Sequence, residues 1–351
     1  MSRRVTLADV AKTAGVSPTT ASFVLSGRGQ EMRISRDVSE RVLRTAEELQ
    51  YRRNIVSVGL RTGTTRTIGF VSDTVATSRL AGGLIQGALE AARERGVLLF
   101  IGETEGDAEL ERQLVETMLD RQVDGVILAS MYTTSIDVPA ALETAPAVLL
   151  NAVAKRPSPI ASVVPDELGA GRTVAQVLLE AGHRDGIHLI GAGPTERDVP
   201  AGGVAAFERI TGIRDVLGAA GVEVTSGHLC GEWLPDEGFA AAQAVLAHDR
   251  PRALVCLNDR LALGVYQALE DAGLKVPADV SVVSFDDDTI ASWMRPRLTT
   301  VALPHYELGR TAVGALFDAI ERRREDRRDA GAVYRVPMPL CRRESVAPRA
   351  S

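Results

Sequence analysis

Cysteine is scarce in this chain of 351 residues, occurring only at Cys230, Cys256 and Cys341. The three stand far apart, without the paired spacing of a zinc site or a redox motif, so they read as small thiols in a reducing compartment. Lysine is rarer than its charge partner: Lys12, Lys155 and Lys275 are the only ones, and arginine supplies the rest of the positive charge. That bias reflects coding composition and carries no functional message. No run of eighteen apolar residues occurs, which argues against a membrane-spanning helix. The amino terminus has no apolar signal region, which predicts a cytoplasmic protein. Catalytic signatures are missing too: there is no G-x-S-x-G, no G-x-x-x-x-G-K-[ST] and no H-E-x-x-H. The turn GAGPTE, Gly191–Glu196, fails as a dinucleotide-binding fingerprint because Glu196 stands where a third glycine is needed. His183 and His188 have no zinc-ligand spacing and read as core or surface residues. The expectation is a protein without cofactor or metal, and not an enzyme.

What is present is a globular composition, 45% hydrophobic and 25% charged, on a length that suits two or three domains. Thr6 to Ser26 reads as two short helices hinged at Gly15. Thr6 opens the first with Asp9 three residues on, a capping box with Asp in place of Glu or Gln. Leu7, Val10, Ala11 and Ala14 then form one apolar face. Ser17 caps the second helix, and Pro18 sits where a missing N–H costs nothing. Ala21, Val24 and Leu25 turn inward, leaving Thr19, Thr20, Ser22 and Phe23 outward. This is the helix-turn-helix shape, whose second helix can enter a DNA major groove, with an ordinary helical hairpin as the alternative. A third helix begins at Ser35, with Asp37 in its first turn and Val38, Val42, Ala46 and Leu49 as its inner stripe.

Charge is distributed unevenly. Residues 1–66 carry twelve Lys/Arg against six Asp/Glu, a net of +6, in a chain whose total is −6, so the remainder is −12. A basic head on an acidic body fits a nucleic-acid-binding tip. From Thr67 short apolar runs alternate with helical stretches: Ile68–Ser72, Val97–Gly102, Gly125–Ser130, Ala147–Asn151, Ile187–Gly191, Ala253–Leu257 and Val280–Phe285 are the strands. Such alternation predicts parallel sheets with helices on both faces, here two of them. Ligands of open α/β sheets bind beyond the carboxyl ends of strands. There stand Asp73, Asn151, Asn258 with Asp259, and Asp286 to Asp288.

The segments VTLADVAKTAGVSPTTASFVLSGR, ISRDVSERVLRTAEELQYRRN and LRTGTTRTIGFV, in that order and spacing, resemble the head of the LacI/GalR family of bacterial transcription regulators. The likeness continues through RITG (Arg209–Gly212), GEWLPDEG, CLNDRLALG, SVVSFDDD and LTTVALPHYELGR, and covers nearly the whole chain. It implies a fold made of an all-α helix-turn-helix head and an α/β periplasmic-binding-protein-like core of two parallel-sheet lobes. The head would span 1–50, a hinge 51–66, and the core 67–351, with the first lobe near 67–165 and 302–330 and the second near 166–301 and 331–345.

The resemblance further implies a repressor acting as a homodimer on palindromic double-stranded DNA, with no membrane partner. Thr6, Ser17, Pro18, Thr19, Thr20, Ser22, Phe23, Ser26 and Ser35 match head positions that meet DNA, and Asn54, Ser57 and Leu60 match hinge positions. In the family a leucine from each subunit, here Leu60, wedges into the minor groove, and an apolar wedge bends the duplex by unstacking a base step. The sequence departs from the family at Phe23, where arginine is common, which leaves a thymine-methyl contact and simple packing both open. It departs again at Arg53, where proline is usual, at Val58, often polar, and at Gly59, which weakens a short helix by about 1 kcal/mol relative to Ala.

An effector in the cleft between lobes is implied to meet Arg209, Asn258 and Asp286, an aromatic wall at Trp233, and Asp73, Asn151 and His305. Arg, Asn and Asp around a cleft suit vicinal hydroxyls, and a Trp face suits sugar C–H groups, so a carbohydrate is expected over a purine. Strand-end capping is the competing role, favoured for Asp259, Asp287 and Asp288. The rival classes are an α/β enzyme, which the failed motifs disfavour, and a sugar-binding protein without DNA activity, which the basic head disfavours.

Overall fold

The computed structural model describes residues 5–52, 63–78, 81–200, 203–325 and 331–348. The hinge positions Asn54, Ser57 and Leu60 lie outside the described residues. The chain divides into two compact units, Met1–Thr65 and Arg66–Ser351.

The first unit holds α1 (Leu7–Ala14), α2 (Pro18–Leu25) and α3 (Arg36–Glu48). Each start is fixed by a side chain: Thr6 and Asp9 exchange hydrogen bonds as a full capping box, Ser17 Oγ accepts from the Thr20 N–H at 3.0 Å, and Ser35 Oγ accepts from the Val38 N–H at 3.4 Å. Gly15 closes α1 at φ 66°, a left-handed conformation that glycine adopts without a Cβ penalty. Val10, Ala11, Ala14, Ala21, Val24, Val42 and Ala46 form the small core, with Leu7, Leu25, Val38 and Leu49 packed on it. Arg41 Nε donates to the Ala14 carbonyl at 2.9 Å and ties α3 to the end of α1.

The second unit contains two six-stranded sheets. In chain order its elements are β1 (Thr67–Ser72), α4 (Gly82–Glu94), β2 (Leu98–Glu103), α5 (Ala108–Asp120), β3 (Val126–Ile136), α6 (Ala140–Glu143), β4 (Ala147–Ala154), β5 (Ala161–Pro165), α7 (Glu167–Glu180), β6 (Ile187–Gly191), α8 (Val204–Ala219), β7 (Ser226–Leu229), α9 (Pro235–His248), β8 (Ala253–Cys256), α10 (Asp259–Asp271), β9 (Ser281–Asp286), α11 (Thr289–Trp293), β10 (Thr299–Ala302), α12 (His305–Arg324), β11 (Val333–Val336) and β12 (Leu340–Cys341). The first sheet runs β11-β5-β4-β3-β1-β2, and the second β12-β10-β9-β8-β6-β7. All pairings are parallel except β10 with β12. Inner strands such as β1 and β8 are buried along their whole length, so they read as apolar runs. The edge strands β2 and β7 are partly exposed.

The lobe boundaries need one correction. Residues 331–345 were expected in the second lobe, but β11 pairs with β5 in the first sheet, from Val333 with Ser162 to Val336 with Pro165. Only the stretch from Leu340 returns, where β12 pairs with β10. The physical reason is that β11 follows α12, which packs on α4 and the first sheet, and a parallel edge strand can join there after one helix. Leu298–Arg310 does carry the chain from β10 in the second sheet to α12 on the first. Contacts that link the lobes include a bridge between Thr134 and Gly203 and a bidentate pair of Arg335 with Glu208, both oxygens at 2.7 Å.

Among the described residues no helix is long and apolar enough to cross a membrane, and no group of three or more His, Cys, Asp or Glu side chains is placed to hold a metal ion.

Candidate nucleic-acid face and ligand cleft

In the head, Thr6, Ser17, Pro18, Thr19 and Ser35 are exposed, whereas Thr20, Ser22, Phe23 and Ser26 are half-buried. The expectation that Thr20, Ser22 and Phe23 all point outward is therefore corrected in degree. Thr20 is drawn in by Ser17, whose hydroxyl lies 2.8 Å from that of Thr20. The Phe23 ring lies under the Arg28 guanidinium at 5.6 Å, and Ser26 Oγ donates to the Phe23 carbonyl. Phe23 thus meets a cation, a contact that sequence reasoning, which weighed a thymine methyl against simple packing, did not anticipate. Lys12, Arg28, Arg33, Arg36, Arg41 and Arg44 are exposed around this core.

In the second unit the carboxyl ends of both sheets border a cavity of about 550 Å³. Asp73, Asn151, Arg209, Trp233, Asn258, Asp286 and His305 all line it. They reach it by different devices. Asp73 follows β1 and accepts from the Met131 N–H at 3.0 Å, binding the end of β1 to β3. Asn151 sits in β4 at φ 56°, donates to the carbonyls of Ser130 and Met131, and accepts from the Thr133 hydroxyl at 2.6 Å. Asn258 caps α10 by accepting from the Leu261 N–H, and its amide donates to the Trp233 carbonyl at 3.2 Å. Trp233, at φ 55°, donates its indole N–H to Gly191 at 2.9 Å. Glu237 holds the same loop by accepting from the N–H groups of Gly231, Glu232 and Leu234. Burial opposes its charge, but these donors outweigh that and hold its carboxyl below the usual range. Non-glycine residues at positive φ gather on this wall: Asn151, Trp233, Asp286 and Asp287. Such conformations cost on the order of 1–3 kcal/mol each and persist where surroundings over-determine them.

Arg209 has the densest set of bonds. It is 2% exposed. Its Nε donates to Glu167 at 2.6 Å, Nη2 to Glu167 at 3.1 Å and to Asp286 at 3.2 Å, and Nη1 to the Leu257 carbonyl. Its guanidinium carbon lies 4.5 Å from the Phe285 ring centre and 6.0 Å from that of Trp233. Four of five N–H donors are engaged by protein, so one on Nη1 remains. Burial works against the Arg209 charge, but Glu167 and Asp286 outweigh it and raise its pKa. Burial raises both carboxyls in turn, with Arg209 pulling each back.

Glu167 was not singled out from sequence, although it lines the cavity and is 1% exposed. The helix crossing that delivers it depends on RITG. A Cβ on Gly212 would collide with the Leu168 carbonyl oxygen, and a Cβ on Gly171 with that of Arg209, so α7 and α8 touch backbone to backbone and bring Glu167 onto Arg209. Asp259, Asp287 and Asp288 also line the cavity, and each bonds its surroundings. Asp259 accepts from Ser284, Thr300 and the Asp288 N–H. Burial first and Asp286 second push its carboxyl up to about 8, against those three donors. Asp287 pairs with Arg343 at 2.6 Å, and Asp288 caps α11. His183 and His188 are buried against Ser281 and Ser226, outside the cavity.

A three-helix head of helix-turn-helix form and a two-lobed periplasmic-binding-protein-like core with a lined interlobe cavity define a ligand-responsive DNA-binding regulator. Residues 6–54 match the model of bacterial regulatory proteins of the lacI family, and residues 175–346 match the periplasmic binding protein-like domain. The chain is 32% identical over 319 residues to the ribose operon repressor of Escherichia coli K12, covering 90% of this chain and 93% of that protein. It is 28% identical over 353 residues to the transcriptional repressor PurR of Photobacterium profundum, covering 97% and 98%. Among solved structures, the Lac repressor dimer bound to operator and the anti-inducer ONPF superposes with a TM-score of 0.78 at 27% identity, over 98% of this chain and all of that one. The chain belongs to the LacI family of bacterial transcriptional regulators.

Proposed function

We propose that this regulator is a repressor that works as a homodimer on a palindromic operator and is switched by a carbohydrate bound between its lobes. The observation that carries the reading is the joint presence of a basic helix-turn-helix head and a cavity whose polar lining is Arg, Asn and Asp beside Trp233. Thr6, Ser17, Pro18, Thr19, Thr20, Ser22, Phe23, Ser26 and Ser35 would meet the major groove and its phosphates, with Asn54, Ser57 and Leu60 following the minor groove. Asp73, Asn151, Arg209, Trp233, Asn258, Asp286 and His305 would meet the effector. Leu98, Phe100 and Ile101 on edge strand β2 are 60%, 45% and 41% exposed, an apolar edge that suits a second copy. The relatives being repressors, and catalytic motifs being absent from the sequence, support a non-enzymatic cytoplasmic protein. The alternative, sugar binding without DNA activity, predicts that the full chain selects no genomic fragment.

The test is selection of genomic fragments by the full-length protein at moderate ionic strength, followed by release with a panel of neutral pentoses and hexoses. Enrichment of a palindrome whose retention changes with one sugar is the expected result. Retention at background level, with or without sugars, overturns the regulator reading. Leu60→Ala should then weaken operator binding at least tenfold more than binding to random DNA, and equal losses would make Leu60 a linker residue.

A further inference from the structure

Resting on the carbohydrate reading of the cleft, we infer that Glu167 sets the charge class of the ligand: by neutralising Arg209 it reserves the site for a hydroxyl-rich molecule that carries no phosphate or carboxylate. Among the described residues the cavity is lined by two arginines and no lysine. One of them, Arg209, is gripped by Glu167 through both carboxyl oxygens and by Asp286 through a third, so two carboxyl groups face one guanidinium. Arg260 is the other, and Asp73, Glu232 and Asp288 outnumber it on the same walls.

Helix N-termini that open on a cleft attract phosphate through free N–H groups. Of the helices that open on the cavity, α10 is capped by Asn258 accepting from Leu261 and α11 by the carboxylate of Asp288 accepting from Ile290, whereas α8, after Gly203, and α12, at His305, have no side-chain cap. A phosphate entering beside Arg209 would meet the carboxyl groups of Glu167 and Asp286 and a guanidinium with a single N–H outside its protein bonds. Hydroxyl groups meet the reverse: carboxylate acceptors in excess, with Trp233 presenting an apolar face. Discrimination against an anion arises from repulsion as much as from attraction to the right ligand.

The experiment measures binding of matched pairs to the full-length protein by calorimetry, each neutral pentose or hexose beside its terminal phosphate, in wild type, Glu167→Gln, Glu167→Asp and Asp286→Asn. At least one neutral sugar should bind wild type, with its phosphate at least a hundredfold weaker. Glu167→Gln should narrow that ratio tenfold or more, and Glu167→Asp should keep it. Asp286→Asn, a change at a more exposed partner of Arg209, should narrow the ratio by a smaller factor, and it answers the question if Glu167→Gln fails to fold. A phosphate that binds wild type as tightly as its neutral partner overturns the inference, as does an unchanged ratio in both neutralising variants. If no sugar of either kind binds, the carbohydrate reading falls, and inorganic phosphate then tests the charge assignment alone: binding by Glu167→Gln and not by wild type supports it, and equal binding overturns it.

Discussion

The head and the cleft use the same kinds of polar residue over very different distances. In the head Thr6 bonds Asp9, Ser17 bonds Thr20 and Ser35 bonds Val38, each three residues away. In the cleft Arg209 reaches Glu167 across 42 positions and Asp286 across 77, and Asp259 reaches Thr300 across 41. A cap acts on its own turn, and its loss is felt there. A cleft residue holds only while helices from distant parts of the chain stay in register, so one fault should loosen several side chains together. Magnitudes follow from that difference.

The largest thermal effect is expected where the cleft depends on backbone contact. Gly212→Ala places a methyl group against the Leu168 carbonyl, which cannot move without shifting α7. Forced overpacking of this kind costs about 3 kcal/mol, which lowers the melting temperature of a domain this size by roughly 5–10 °C. Thermal unfolding followed by circular dichroism checks it, with Gly218→Ala, where a Cβ meets nothing within 4 Å, as the control on the same helix. Equal behaviour of the two variants would mean that the crossing is not tight.

An effect of similar size distinguishes the cleft by its titration. The Asp259 carboxyl, raised to about 8, keeps a proton in the folded protein that an unfolded chain releases near pH 4. Its contribution is therefore fully present below about pH 4 and is lost as pH rises towards 8. Glu167 and Asp286 are shifted the same way and add to that slope, so the informative quantity is the difference between wild type and Asp259→Asn. Unfolding free energies from urea titrations at pH 5 and pH 8 should differ less in the variant than in wild type, by on the order of 3–4 kcal/mol. An unchanged slope would mean that Asp259 is already ionised at pH 5, held so by Ser284, Thr300 and the Asp288 N–H.

Legibility follows the same divide. Capping signals and apolar spacing expose the head almost completely, because each rests on residues within one turn. The inner strands β1, β4, β6 and β8 are legible as apolar runs. Strand β5, ASVVP, is short and ends in proline, and β7, SGHL, is a half-exposed edge, so neither has a pattern to find. The lobe of β11 depends on which sheet offers a free edge, and that is a property of the assembled fold. In the cleft, residue types at strand ends point to the cavity, but they do not reveal which donors and acceptors are already taken. Asn151 and Asn258 line it with their amides engaged, and Glu167 escapes notice because its partner lies on another helix. A carboxylate directly after the cap Asp166, at the opening of a helix, is the one local signal that marks it, since the dipole favours an acid there.

The smallest effect belongs to the head and sharpens the contrast from the other side. Ser17→Ala removes one acceptor, that of the Thr20 N–H, and leaves Pro18 and the buried Ala21 and Val24 in place. Loss of such a cap costs about 1 kcal/mol. The same hydroxyl is exposed and stands at the start of the helix proposed to enter the groove, so operator affinity should fall by more than the stability change accounts for. Ser17→Thr restores an acceptor with an added methyl group and should recover most of the stability. If Ser17→Thr recovers operator binding to the same degree, the hydroxyl acts through the cap and the groove contact alike. If stability returns and binding does not, Ser17 lies so close to the DNA that one methyl group is excluded.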